Sequence, residues 1–196
     1  MRWAYEFEFA IFNGGGMDHV STACGGATLF QGRTQGLPNL IGHLAFPDEW
    51  SVLILDSGTT KDTRDHIRFV RNQVVVRDAA LTSYVRAVTD ASDAVWSAIL
   101  GPDLAALSEG MELAHAAMRD HQCMSTPWLE KIRAIAWGSA RLRLKVSGAG
   151  GGGALVGVCD RTDAAAVVES LACRFDGDAP GVHVHAVDAV APRGTW

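Results

Sequence analysis

The chain has 196 residues, 48% of them hydrophobic, which is enough to supply one large core or two smaller ones in a globular protein. Its formal net charge of -5, with acids and bases mixed along the chain, excludes a broad basic face for nucleic acid or an anionic membrane. Cys24, Cys123, Cys159 and Cys173 form no CxxC pair, MRWAYEFEF carries no secretory signal, and no apolar run approaches the roughly 20 residues of a membrane helix. Buried or free thiols in a cytoplasmic protein are therefore expected.

The first 60 residues are rich in glycine and short apolar runs, which predicts strands near ATLFQ, IGHLAF and SVLILDS and a short helix after Gly16. From Asp62 the pattern turns helical, with Leu81, Tyr84, Val85, Val88, Trp96 and Ile99 on one stripe. After the breaker Gly101-Pro102, a second helix carries Leu104, Leu107, Met111, Ala114 and Met118. A third opens at Thr126-Pro127, an N-cap followed by proline at the first helical position, and turns Leu129, Ile132, Ile135 and Ala136 inward. Leu142, Leu144 and Val146 then alternate with Arg141, Arg143 and Lys145 as in a strand with one buried face. ALVGVC reads as a deeper strand, a helix follows with Ala164, Val167, Val168 and Leu171, and VHVHAV alternates again. The expected fold is α+β, with helices layered on one face of a sheet and a domain boundary near residues 74–80.

Two glycine-rich stretches carry the chemistry. SGAGGGGALVGVCD, Ser147 to Asp160, contains Gly148, Gly150 and Gly153 in the spacing GxGxxG, but a strand rather than a helix follows it, which excludes a dinucleotide-binding turn. No GK[ST] closes it, so it is not a Walker loop either. A glycine-rich connection between strands either turns successive N–H groups toward an anion or simply allows close packing against a neighbour. The second stretch, NGGGMDHVSTACGG, places Asp18 at a helix start, where a carboxylate either caps the helix or accepts a proton from a substrate hydroxyl.

Taken together, these segments resemble the GHMP kinases, the superfamily of galactokinase, homoserine kinase, mevalonate kinase and phosphomevalonate kinase. GGGMDHVSTACGG looks like the segment around their catalytic aspartate, VLILDSGTTKDTRDHIRFVRN like their substrate segment, and KVSGAGGGG like their third motif, in the proper order. The resemblance implies an α+β fold of GHMP-kinase type: residues 1–76 would be a partial, β-rich N-terminal domain and residues 77–196 a ferredoxin-like C-terminal domain. It implies Asp18 as catalytic base, with Gly148, Ala149, Gly150, Gly151 and Gly152 against the nucleotide phosphates. It further implies Thr63 or Arg64 facing the substrate pocket, Asp56 and Ser57 as second candidates there, and ATP with Mg2+ as cofactors; a turn after the strand explains Asp56 and Ser57 equally well, and a solvated helix face explains Arg64.

One departure is large, because the family's PxxxGLGSS motif, which opens a helix and wraps the ATP phosphates, has no counterpart in the sequence. The expectation is an ATP-dependent kinase for a hydroxyl of a sugar or sugar-like alcohol, incomplete or inactive alone, with an N-terminal partner chain or self-association supplying what is missing. A mevalonate-type substrate is an alternative, and a non-catalytic ligand- or partner-binding module is another. His183 and His185 share a strand face, but no acidic or cysteine cluster completes a metal site with them. His115 and His121 lie near a helix end, where imidazole can meet terminal carbonyls. The scattered tryptophans read as core or interface filling.

Overall fold

In the computed structural model, which describes Glu6 and residues 16–33, 36–60 and 63–193 with the side chains of residues 63–65 excepted, contacts divide the chain into two units. The smaller comprises residues 1–47 and 189–196, and the larger residues 48–188. In the smaller unit α1 (Met17–Cys24) starts after Gly16 and is closed by the N–H of Gly25 on Ser21 O at 2.9 Å. It leads into an antiparallel pair, β1 (Ala27–Gln31) and β2 (Asn39–Leu44), whose register slips at Leu29/Phe30. The C-terminal tail returns to this unit, where Val190 O accepts from Gly26 N–H and the N–H of Arg193 donates to Cys24 O.

The larger unit runs β3 (Trp50–Asp56), α2 (Thr63–Val76), α3 (Ala79–Leu100), α4 (Leu104–Gln122), α5 (Pro127–Ala140), β4 (Lys145–Val146), β5 (Ala154–Asp160), α6 (Ala164–Asp178) and β6 (His183–Val187). Three of its helices start on a side chain that replaces a missing first-turn acceptor. Asp78 accepts from Ala80 N–H, Asp103 from Ala106 N–H, and Thr126 from Leu129 N–H with Pro127 at the first helical position. The strands form one sheet in the order β4-β5-β3-β6, with every pair antiparallel. Side chains alternate across it, so Leu53 and Leu55, Val146, Leu155 and Val184 form one buried face. Met118, Leu129, Ile132, Leu171 and Phe175 from α4, α5 and α6 cover that face in one core.

Two expectations change in detail. Only Lys145–Val146 pair as a strand, although Leu142 and Leu144 are buried in the predicted alternation. The preceding residues cross close over β5, where a Cβ at Gly157 would lie 2.9 Å from Arg143 O. On α3, Val85 is exposed, and the buried line runs through Ala91, Ala98 and Ile99 instead. β3 is hydrogen-bonded between β5 and β6, within the larger unit. Among the described residues no helix is long and apolar enough to cross a membrane.

Candidate functional site

The glycine stretch is the connection between the antiparallel strands β4 and β5, and Ser147 N–H closes its base on Ala154 O at 2.9 Å. Gly148, Gly150, Gly151 and Gly153 all take positive φ, from 64° to 77°, a conformation that glycine adopts without the strain a Cβ would bring. Two amides of the loop point into the protein: Gly151 N–H donates to Met124 O at 2.6 Å and Gly153 N–H to Thr59 O at 2.8 Å. Those of Gly148, Ala149, Gly150 and Gly152 donate to no carbonyl or side chain of the described residues. They belong to a cleft of about 270 Å³ lined by Ser147, Gly148, Ala149, Gly150 and Gly152–Ala154. A concave surface carrying backbone N–H groups without partners is chemically suited to an anion such as a phosphate.

The end of β3 is bound into the same loop. Ser57 N–H donates to Gly153 O at 2.9 Å, and Asp56 is the register partner of Ala154. Asp56 is exposed and accepts from Gly58 N–H at 3.0 Å, which shapes the turn after the strand. Ser57 is buried; its hydroxyl is shared with Thr59 at 2.8 Å, and its carbonyl accepts from Trp128 Nε1 at 2.9 Å. Trp128, read from sequence as filling, thus fastens the start of α5 to the end of β3. No spacing in the sequence signals that hydrogen bond; only the fold brings the two segments together.

Behind β4 lies a polar cluster that sequence reasoning missed. His115 is fully buried in α4, not at a helix end among terminal carbonyls, and its Nε2 and Glu130 Oε1 are 2.7 Å apart. Its Nδ1 accepts from Val146 N–H at 3.3 Å. Arg133 bridges to Glu130 (2.7 Å), to both oxygens of Glu112 (2.6 and 2.7 Å) and to Leu144 O (2.8 Å). Burial pushes the His115 pKa below its ordinary value, against the pull of Glu130. Burial would raise Glu130, but hydrogen bonds from Ser125 and His115 and the charge of Arg133 outweigh it and hold the carboxyl low. Burial likewise lowers Lys145, whose ammonium meets Val146 O at 2.9 Å and no carboxylate among the described residues.

Asp18 belongs to the smaller unit. It is exposed in the first turn of α1, and no side chain caps that helix; the N-cap is Gly16. Its carboxylate has no hydrogen bond or ion pair to the described residues, so the capping alternative has no bond behind it. Thr63 and Arg64 begin α2, and their side chains lie outside the described residues. The structure thus gathers the glycine loop, Asp56 and Ser57 in the larger unit. His183 and His185 are exposed on one face of β6, and among the described residues no group of three or more His, Cys, Asp or Glu side chains could hold a metal.

The family model for the C terminal of GHMP kinases matches residues 95–177, from the end of α3 through the glycine loop into α6. This segment matches a GHMP kinase C-terminal domain in sequence pattern and in fold. Mevalonate kinase from L. major, solved with R-mevalonate, aligns over 96% of this chain and 57% of its own, at 21% identity and a TM-score of 0.68. Galactokinase from Lactococcus lactis, complexed with galactose, aligns over 80% of this chain and 48% of its own, at 12% identity and a TM-score of 0.58. Phosphomevalonate kinase from Streptococcus pneumoniae, with phosphomevalonate and AMPPNP, aligns over 79% and 44%, at 12% identity and a TM-score of 0.61. The chain spans about half the length of these proteins, and at such identities the likeness is one of fold. No curated protein matches the sequence. The GHMP domain contains the glycine loop and His115, while Asp18, Asp56, Ser57, Thr63 and Arg64 lie before it.

Proposed function

We propose that the chain is the phosphate-binding and acceptor-activating part of an ATP-dependent GHMP-type kinase acting on a hydroxyl of a small alcohol. A sugar or sugar-like substrate is preferred and a mevalonate-type one is the alternative. The observation that carries the reading is the cleft with four amides that have no partner among the described residues, Gly148, Ala149, Gly150 and Gly152, in the loop of the GHMP domain. In this reading those amides meet nucleotide phosphate oxygens, and Gly151 shapes the loop around them. Asp18, a carboxylate in the first turn of α1 without a partner among the described residues, takes the proton of the substrate hydroxyl as it attacks. Asp56, Ser57, Thr63 and Arg64 contribute to the substrate side. Residues 1–76 and 77–196 then correspond to the acceptor-activating and nucleotide-binding portions. Magnesium needs only one or two carboxylates besides phosphate oxygens, and no side chain is assigned to it here.

Phosphoryl transfer depends on positioning and on charge stabilisation at the phosphates. A single loop offering four amides supplies a small part of that, so activity requires a complementing N-terminal segment, from a partner chain or a second copy. A second reading, a binding module without catalysis, is favoured by the inward amides of Gly151 and Gly153, which give the glycines a packing role of their own. Calorimetry on the 196-residue chain separates the readings. Binding of ATP with magnesium at roughly millimolar strength is expected, and it should tighten when a segment bearing PxxxGLGSS is supplied. Absence of any nucleotide binding, alone or complemented, would leave the module; nanomolar binding by the chain alone would contradict the one-loop argument.

A further inference from the structure

β4 is an edge strand, and its outer edge leads directly into the glycine loop. The bond from Ser147 N–H to Ala154 O fixes which residues bond to β5, and it leaves Val146 facing outward with both backbone groups. Side chains claim each of these outward groups. His115 Nδ1 accepts from Val146 N–H, Lys145 Nζ donates to Val146 O, and Arg133 Nε donates to Leu144 O. The loop's other anchor reaches the same cluster, because Gly151 holds Met124 O, and the next residue, Ser125, donates to Glu130 Oε1 at 2.5 Å. That oxygen also faces His115 Nε2. The pair His115–Glu130 is therefore common to both ends of the loop.

We propose that His115 is a positioning residue for the glycine loop: held neutral between Glu130 and Val146, it fixes the edge of β4 and makes the loop's presentation of amides depend on pH. The tautomer follows from the bonds. Nδ1 accepts, so the proton sits on Nε2 and is donated to Glu130. A second proton would convert Nδ1 into a donor facing the Val146 N–H, and the two must part. The surrounding charges are Glu112, Arg119 and Asp120 on α4, Glu130 and Arg133 on α5, and Lys145 on β4. Since burial holds the imidazole below its ordinary 6.5, the proton enters only with release of the edge; the held state is complete above that pH and is lost as pH falls through the lowered value.

The consequence for nucleotide binding rests on the function proposed above, so the experiment reads the loop and the nucleotide separately. Amide and imidazole resonances of the full chain are followed from about pH 8 to about pH 5, in the wild type and in His115→Asn. The Asn oxygen can still accept from Val146 N–H, and the carboxamide at 115 has no proton to gain in that range. Expected are an Nε2-protonated imidazole at high pH and Val146, Gly148 and Gly151 amides that shift together with His115, in a transition absent from His115→Asn. ATP–magnesium affinity, taken as the ratio of wild type to variant to cancel titration of the nucleotide, should fall about tenfold through that transition. An imidazole protonated on Nδ1 overturns the proposal in the wild type alone, whether or not the variant folds. Loop amides that titrate identically in the variant overturn it as well. Amides that titrate as expected in a chain that binds no nucleotide uphold the positioning role and refute the kinase reading.

Discussion

Replacing Gly150 by alanine tests whether the loop is held by its inward contacts. The residue has φ +66°, and an added Cβ would overlap Met124 O while lying 2.6 Å from Met124 Cβ and 2.8 Å from Met124 C. Left-handed backbone costs an L-residue about 1–2 kcal/mol. The overlap is with backbone, so relief requires the loop to move off Met124 and lengthen the 2.6 Å bond from Gly151 N–H, which costs about 1 kcal/mol more. Overpacking of a close-packed contact adds about 1–3 kcal/mol, for a total of roughly 3–6 kcal/mol. Gly148→Ala is the internal control, because Gly148 has nearly the same φ, +64°, and nothing within 4 Å of the added Cβ. It should cost only the backbone strain, about 1–2 kcal/mol. Denaturant unfolding of both variants, with midpoints converted through a common slope, gives the difference directly. Equal destabilisation of the two would refute the claim that contact with Met124, rather than backbone conformation alone, demands glycine at 150.

Asp18→Asn should change stability by less than about 1 kcal/mol, since the side chain makes no capping bond and loses only its interaction with the helix N-terminus. In a complemented, active enzyme it should lower kcat by about 100-fold to 10,000-fold with little change in KM; normal turnover would remove Asp18 from the mechanism. Trp128→Phe keeps an aromatic ring at the start of α5 but leaves Ser57 O, in a residue that is 1% exposed, without its indole donor. A loss of about 1–3 kcal/mol by denaturant unfolding is expected, and a neutral result would show that the bond contributes nothing net. Glu130 is held below its ordinary 4.5, so its contribution to stability is present above that pH and is lost as pH falls through the lowered value. Glu130→Gln should therefore be less stable than the wild type near neutrality, with the gap closing in acid; a gap constant from pH 7 downward would show that the Glu130 charge is not what stabilises the cluster.

The sequence by itself determined the elements and their order, because periodicity and punctuation are local. Thr126-Pro127 starts α5, Gly16 precedes α1, and the alternation of Leu142, Leu144 and Val146 marks a buried face even though only Lys145–Val146 pair. The strand after the glycine loop, which ruled out a dinucleotide turn, was equally legible, since ALVGVC is too short and too continuously apolar for an amphipathic helix. Tertiary structure decided the partners. Alternation records that one face of SVLILDS is buried, but not that β3 joins the sheet between β5 and β6. A run of glycines permits any direction for each amide, so only the neighbours Met124 and Thr59 select Gly151 and Gly153 to point inward and leave Gly148, Ala149, Gly150 and Gly152 without partners among the described residues. His115, Glu130 and Val146 are far apart in sequence and match no spacing rule. They form one unit because α4, α5 and β4 meet there, and a buried imidazole must find a hydrogen-bond partner for each ring nitrogen wherever the fold supplies one.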